Sequence, residues 1–217
     1  MTKEAITLTM ESPPIKYLCE KDTKLKIVIE RIGPITYKPF DNPYSFLIHE
    51  IIEQMLSKKA GQKIYDRLAT LCDGDVTPLK VSSLSYEQIK SIGTANSKVG
   101  YIQSVTASIL NNEIDLDSLP YKSDEEVYKE LTKLKGIGSW TAKMYLIFVL
   151  DRQDILPTED GAFLQSYKWL YNARKLNKST IERNCKKWKP YSSIASRYLY
   201  KALDGGLTKE NLRELTL

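Results

Sequence analysis

Leu134-Lys135-Gly136-Ile137-Gly138-Ser139-Trp140-Thr141-Ala142-Lys143 reads as the end of one helix, a tight Gly-Ile-Gly turn and the start of a second helix. Gly136 can take the left-handed conformation that ends a helix, and Gly138 lacks the Cβ that would keep another backbone at a distance. A helix that starts just behind such a turn presents N–H groups with no partner inside the helix, which suits a phosphate oxygen. Lys135 and Lys143 flank the turn. Gly-x-Gly alone also fits an ordinary helical hairpin with a glycine cap, so the neighbouring sequence has to decide.

Outward from the hairpin the chain reads as helical, with capping residues ahead of apolar positions at three- and four-residue spacing. Asn42-Pro43 opens one helix, and Phe46, Leu47, Ile51, Met55 and Leu56 mark its buried stripe. Ile64, Leu68 and Leu71 mark a second. Ser85-x-x-Gln88 and Ser123-x-x-Glu126 are capping boxes, and Gly93 ends the first of these two helices. Asn96 or Ser97 starts another helix, with Ile102, Val105 and Ile109 inward. Ser139 is placed to cap the helix through Trp140, Met144, Tyr145 and Phe148. Ser179-x-x-Glu182 opens one more, and Gly205-Gly206 closes the helix begun near Ser192. Within the first forty residues Lys26-Ile27-Val28-Ile29 fits helix or strand equally, which allows a minor N-terminal β element. The fold class predicted is all-α.

Composition narrows the function classes. The chain has 217 residues, 42% hydrophobic and 27% charged, as expected of a globular protein with a sizeable core. No apolar run approaches the ~18 residues needed to span a bilayer, so no membrane partner is expected. The N-terminal sequence does not read as a secretory signal. Cys19, Cys72 and Cys185 are far apart and odd in number. They read as three buried thiols in a reducing intracellular compartment, not as a disulfide framework or a zinc or iron–sulfur site. The net charge of +5 is unevenly spread, with 18 lysines and arginines against 12 acidic residues in 121–217. Such a basic excess fits a polyanion-binding face without requiring one.

At the hairpin the chain resembles the helix-hairpin-helix DNA glycosylases, and within them the 3-methyladenine DNA glycosylase II (alkylbase) type, which reads L-x-G-I-G-x-W-[ST]-A. The resemblance continues at Asp154-Ile155-Leu156-Pro157-Thr158-Glu159-Asp160, similar to the family's apolar-Pro-x-x-Asp, and at Trp188-Lys189-Pro190-Tyr191-Ser192-Ser193. Glu53-Gln54-Met55-Leu56-Ser57 resembles the family's Q-Q-[IL]-S helix, and Gly93-Thr94-Ala95-Asn96-Ser97-Lys98 its G-[LM]-S-x-x-K turn. Three positions depart from the pattern: Glu53 replaces the first Gln, Ser192 the usual Arg, and Gly161-Ala162-Phe163 follows the Asp.

The resemblance implies a two-lobed helical fold with a cleft, residues 1–40 packing on the C-terminal lobe and 41–217 forming the glycosylase domain, with the hairpin at 124–151. It implies Asp160 as the catalytic carboxylate. Breaking an N-glycosidic bond builds positive charge at C1′, which a nearby carboxylate stabilises. Asp160 would equally serve as N-cap of the helix carrying Phe163, Leu164, Tyr167 and Leu170, and the two roles are compatible. Trp140, with Met144 and Tyr200, would face a cationic alkylated base extruded from the duplex. In the relatives that also cleave the strand, a Lys stands at the position of Trp140, so excision without lyase activity is expected. DNA would be bound by Gly136, Ile137, Gly138, Ser139, Lys135 and Lys143. Gln54 and Met55 lie where the family fills the gap left by the extruded base. Lys186, Lys187 and Lys189 contact phosphates or face solvent, and His49, the only histidine, reads as structural. No cofactor is expected. The family's hairpin often holds a monovalent cation on backbone carbonyls, here those of Thr132, Leu134 and Ile137. The expected partner is damaged double-stranded DNA, bound by a monomer in the cytoplasm or nucleoid. A DNA-binding module without chemistry, and a glycosylase for a deaminated or oxidised base, are the competing readings.

Overall fold

A computed structural model describes residues 2–211. Among these residues the chain forms twelve α-helices and one small two-stranded sheet, in the order β1 (Ile6–Leu8), α1 (Pro13–Lys21), α2 (Thr23–Ile32), β2 (Ile35–Tyr37), α3 (Pro43–Glu53), α4 (Lys58–Leu71), α5 (Pro78–Ser82), α6 (Tyr86–Ser91), α7 (Asn96–Leu110), α8 (Asp124–Leu131), α9 (Ser139–Phe148), α10 (Gly161–Tyr171), α11 (Lys178–Cys185) and α12 (Ser192–Asp204). The chain divides into two compact units, one made of Met1–Pro39 with Asp151–Leu217 and one of Phe40–Leu150.

The discontinuous unit brings the two ends of the chain together. β1 and β2 pair antiparallel, with Thr7 opposite Thr36 and their hydroxyls 2.9 Å apart. Between the strands, α1 and α2 form a hairpin hinged at Asp22. Residues 26–29, ambiguous in sequence, are helical in α2 because Leu25, Val28 and Ile29 then share one buried face. α2 and α10 pack against α12. Leu18, Ile29, Phe163, Trp188, Tyr198 and Leu199 meet in a common core. Each large side chain buried this way contributes about 1.5–3 kcal/mol.

The continuous unit is built around α3, which packs on α4, α7 and α9. The side chain of Asn42 accepts from the Ser45 amide at 2.9 Å, so the α3 cap forms as its sequence predicts. Both capping boxes are present, at Ser85/Gln88 and Ser123/Glu126. Phe46, Leu47 and Ile51 are buried, as their spacing demands.

Several expectations fail for local reasons. Met55 and Leu56 do not extend the buried stripe. α3 stops at Glu53, and Met55 is fully exposed while Leu56 is 43% exposed. Leu71 is exposed at the end of α4, a surface helix that buries only Gly61 and Leu68. Ser139 is the first helical residue of α9 and not its cap. The boundary falls one residue earlier, on the extended backbone of Gly138, and no side chain caps the helix. The cap of α11 likewise falls at Asn177. Its side chain accepts from the amides of Ser179 and Thr180 and from the Ser179 hydroxyl, which is thereby used as a donor. Cys72 and Cys185 are buried free thiols, but Cys19 is only half-buried.

Candidate functional site

In the continuous unit the hairpin turn is closed by short-range backbone bonds, Leu134 N to Leu131 O and Ile137 N to Leu134 O. Gly136 has φ +93°, and a Cβ there would lie 2.5 Å from the Tyr101 ring. Both facts require glycine. At Gly138 a Cβ would meet nothing within 4 Å. The absence of a side chain therefore serves no packing among the described residues and leaves an exposed approach to the start of α9. Ile137, between the two glycines, is buried. Lys135 is exposed and Lys143 half-buried, one on each side of the turn. The carbonyls of Thr132, Leu134 and Ile137 are neutral oxygen donors. That of Leu134 keeps its second lone pair after accepting from Ile137, a donor set that fits a hard monovalent cation.

The turn after α3 lies against this hairpin. Gln54 Nε2 donates to Gly136 O at 2.8 Å. The backbone of the next residue, Met55, has φ +60°, rare for a residue with a Cβ, and its side chain stands entirely in solvent. The preceding Glu53 lies against Gly61, where a Cβ would come within 2.5 Å of Glu53 Cγ. Glu53 is also 3.7 Å from His49 Nε2. His49 packs edge-on to Tyr65 and lies 3.2 Å from Gln62 Oε1, held within this helical pair.

In the discontinuous unit Asp160 is 9% exposed and caps α10, its Oδ1 accepting from the Phe163 amide at 2.7 Å. The loop that leads to it is tied to the start of α12. Ile155 N donates to Ser193 Oγ at 2.9 Å, Ser193 N to Gln153 O at 2.9 Å, and Ser192 Oγ to Asp154 Oδ1 at 2.6 Å. At the loop's origin Asp151, with φ +52°, accepts from Arg197 at 3.0 Å, and the Arg197 guanidinium stacks 3.7 Å over the Tyr37 ring. The first half of α12, through Ser192, Ser193 and Arg197, thus anchors the loop carrying Asp160.

A sequence profile of the HhH-GPD superfamily of base excision DNA repair proteins matches residues 48–190, from within α3 to the Lys189-Pro190 pair. The chain belongs to the HhH-GPD superfamily. It is 32% identical over 193 residues to the alkylbase DNA glycosidase-like protein mag2 of Schizosaccharomyces pombe, a match covering 86% of this chain and 91% of that protein. A crystal structure of a DNA-3-methyladenine glycosidase from Bacillus halodurans superposes with a TM-score of 0.85 at 32% identity, over 97% of this chain and 99% of that one. A 3-methyladenine DNA glycosylase of S. pombe, solved in complex with abasic DNA, superposes with a TM-score of 0.81 at 26% identity, over 89% and 97% of the two chains.

The other residues singled out in this HhH-GPD chain fall as follows. Trp140 is half-buried in the first turn of α9, and Met144, one turn on, is buried at 4% exposure. Tyr200 is half-buried on α12, in the unit that holds Asp160. Lys187 is committed within the protein: its Nζ lies 3.0 Å from Asp22 Oδ2. Lys189 lies 3.4 Å from Asp154, and Lys186 is exposed. Sequence reasoning missed Tyr101, Arg197 and Asp22 altogether. It placed Lys98 in a family turn without giving it a task. All four make their contacts with residues distant in the chain. The one local signal was at Asp22, which also caps α2 by accepting from the Lys24 and Leu25 amides.

Proposed function

We propose that the protein is a monofunctional DNA glycosylase that hydrolyses the N-glycosidic bond of alkylated bases, of the 3-methyladenine and 7-methylguanine type, in double-stranded DNA. It acts as a monomer, without a cofactor, as the first step of base excision repair in a reducing cytoplasmic or nucleoid compartment. The observation that carries this reading is the fixed carboxylate of Asp160, nine-tenths buried and anchored through Phe163, in a chain whose hairpin and relatives are those of DNA-3-methyladenine glycosylases.

Each element has a role in this proposal. The open turn at Gly136, Ile137, Gly138 and Ser139 receives a backbone phosphate, aided by Lys135 and Lys143. A cation held on the carbonyls of Thr132, Leu134 and Ile137 would add positive charge there. Met55 fills the space of the extruded nucleotide, with Gln54 beside it tied to the hairpin; the full exposure of Met55 supports this role. Trp140 offers an aromatic face to the cationic base, worth about 0.5–2 kcal/mol.

N3- and N7-alkylated purines leave without an acid, because the departing base carries the bonding pair as a neutral molecule. Asp160 stabilises the positive charge that builds at C1′ and orients the water that adds there, a contribution of about 3 kcal/mol. Trp140 has no amine to form a Schiff base, so the strand is left intact.

Asp160→Asn isolates the chemistry, because Asn caps a helix as well as Asp does. The variant should bind duplex DNA normally but release free 3-methyladenine from methylated duplex at least about 100-fold more slowly. Normal release by this variant would remove Asp160 from the mechanism.

A further inference from the structure

Lys98 and Tyr101 stand one turn apart on α7, and each braces one side of the Gln54–Gly136 contact. The Lys98 ammonium donates to two carbonyls, Ile52 O at 2.8 Å and Gln54 O at 2.6 Å. Both belong to the end of α3. There the helix breaks, its carbonyls lack further helical donors, and the helix dipole favours a cation. Burial pulls the Lys98 ammonium below the usual lysine range. On the other side the Tyr101 ring occupies the space a Gly136 Cβ would need, so the hairpin glycine rests on the same helix. Gln54 Nε2 then joins the two braced segments.

Met55 follows directly. Its left-handed backbone persists only where the surroundings over-determine it. The two bonds from Lys98 act on the residues just before it.

We propose that Lys98 is a positioning residue for base extrusion. By satisfying the carbonyls of Ile52 and Gln54 it holds Met55 outward, at a fixed place relative to the hairpin turn, so that insertion into DNA requires little further ordering of the protein. Preorganisation of this kind strengthens binding without adding a contact to the ligand. The inference rests on the reading of Met55 as the inserted side chain.

The test compares wild type, Met55→Ala, Lys98→Met, Lys98→Arg and the Met55→Ala/Lys98→Met double variant. The substrate is a duplex carrying one alkylated purine beside a 2-aminopurine reporter. Single-turnover release of the base and the reporter's fluorescence rise are both recorded. Lys98→Met should lower the extrusion signal and the release rate about tenfold, the scale of losing a hydrogen bond to a charged group. Lys98→Arg, which keeps a cationic donor for both carbonyls, should recover most of the loss. In the Met55→Ala background Lys98→Met should add less than about twofold.

A full further loss in that background would show that Lys98 does not act through Met55, and would overturn the proposal. So would a normal extrusion signal in Lys98→Met while Met55→Ala is impaired. If Met55→Ala itself extrudes and excises normally, the inserted-residue reading fails and the proposal with it. Should Lys98→Met not fold, Lys98→Gln, with a single neutral donor group, replaces it under the same criteria.

Discussion

Trp188 Nε1 donates to Asp22 Oδ2 at 2.8 Å, joining residues 166 positions apart. The same carboxylate accepts from the Tyr171 hydroxyl, lies 3.0 Å from Lys187 Nζ, and takes the amides of Lys24 and Leu25 through Oδ1. One acidic side chain therefore caps α2 and fastens it to α10 and to the segment before α12.

This arrangement sets an acid limit on stability. Burial opposes the charge on Asp22, but the bonds from Tyr171, Trp188, Lys187 and the Leu25 amide outweigh it and hold the carboxyl below its ordinary value of 3.8. A carboxyl with a depressed pKa stabilises the fold above its unfolded value, and that stability is lost as pH falls through the folded value. Urea unfolding followed from pH 7 to pH 3 should show wild type losing stability below about pH 4. Asp22→Ala should cost about 3 kcal/mol at neutral pH and flatten that acid limb. Equal pH slopes in the two proteins would rule out this role.

The two hairpin glycines should respond differently to alanine. Gly136→Ala meets both a positive φ and the Tyr101 ring, and should lose about 2 kcal/mol of stability. Gly138→Ala meets nothing in the protein, so its stability should stay within about 0.5 kcal/mol of wild type. Its DNA affinity, read by fluorescence anisotropy, should nevertheless fall, because the added methyl occupies the approach to the start of α9. Unchanged affinity in Gly138→Ala would remove the turn from the DNA contact.

The anchor at Ser193 should matter for rate. Ser193→Ala leaves the Ile155 amide without its 2.9 Å acceptor, at a cost of about 1–3 kcal/mol. Loosening the loop that carries Asp160 should slow base release while DNA affinity holds. A stability loss with an unchanged single-turnover rate would make the anchor purely structural.

Salt should weaken DNA binding steeply. A plot of log affinity against log salt should slope downward, and replacing Lys135 or Lys143 with Ala should reduce the slope by about one each. A slope unaltered by both replacements would move the phosphate contacts elsewhere.

What the sequence made legible follows the range of the forces involved. The caps at Asn42, Ser85 and Ser123 close within three residues, so residue type and spacing sufficed to find them. The helix break at Gln54 has no glycine to signal it. It depends on Lys98 and Gly136, 44 and 82 residues away from Gln54, so extending the apolar stripe to Met55 was the natural error. Ser139 and Ser179 each looked like a cap, but a glycine in extended conformation and an Asn two residues upstream took those places. For Asp160 the local capping role was readable directly, whereas its catalytic role came only from resemblance. The hub at Asp22 was invisible because Tyr171, Lys187 and Trp188 lie some 150 to 166 positions further along.

The split composition of one unit has a consequence for synthesis. Phe40–Leu150 is continuous, so all of its own contacts are available once that stretch has left the ribosome. Strand β1 and the helical pair behind it emerge before that stretch, yet their hydrophobic partners Phe163, Trp188 and Tyr198 are translated more than a hundred codons later. These early elements must keep their apolar surface from aggregating through that interval. The middle of this chain can therefore mature before its beginning does.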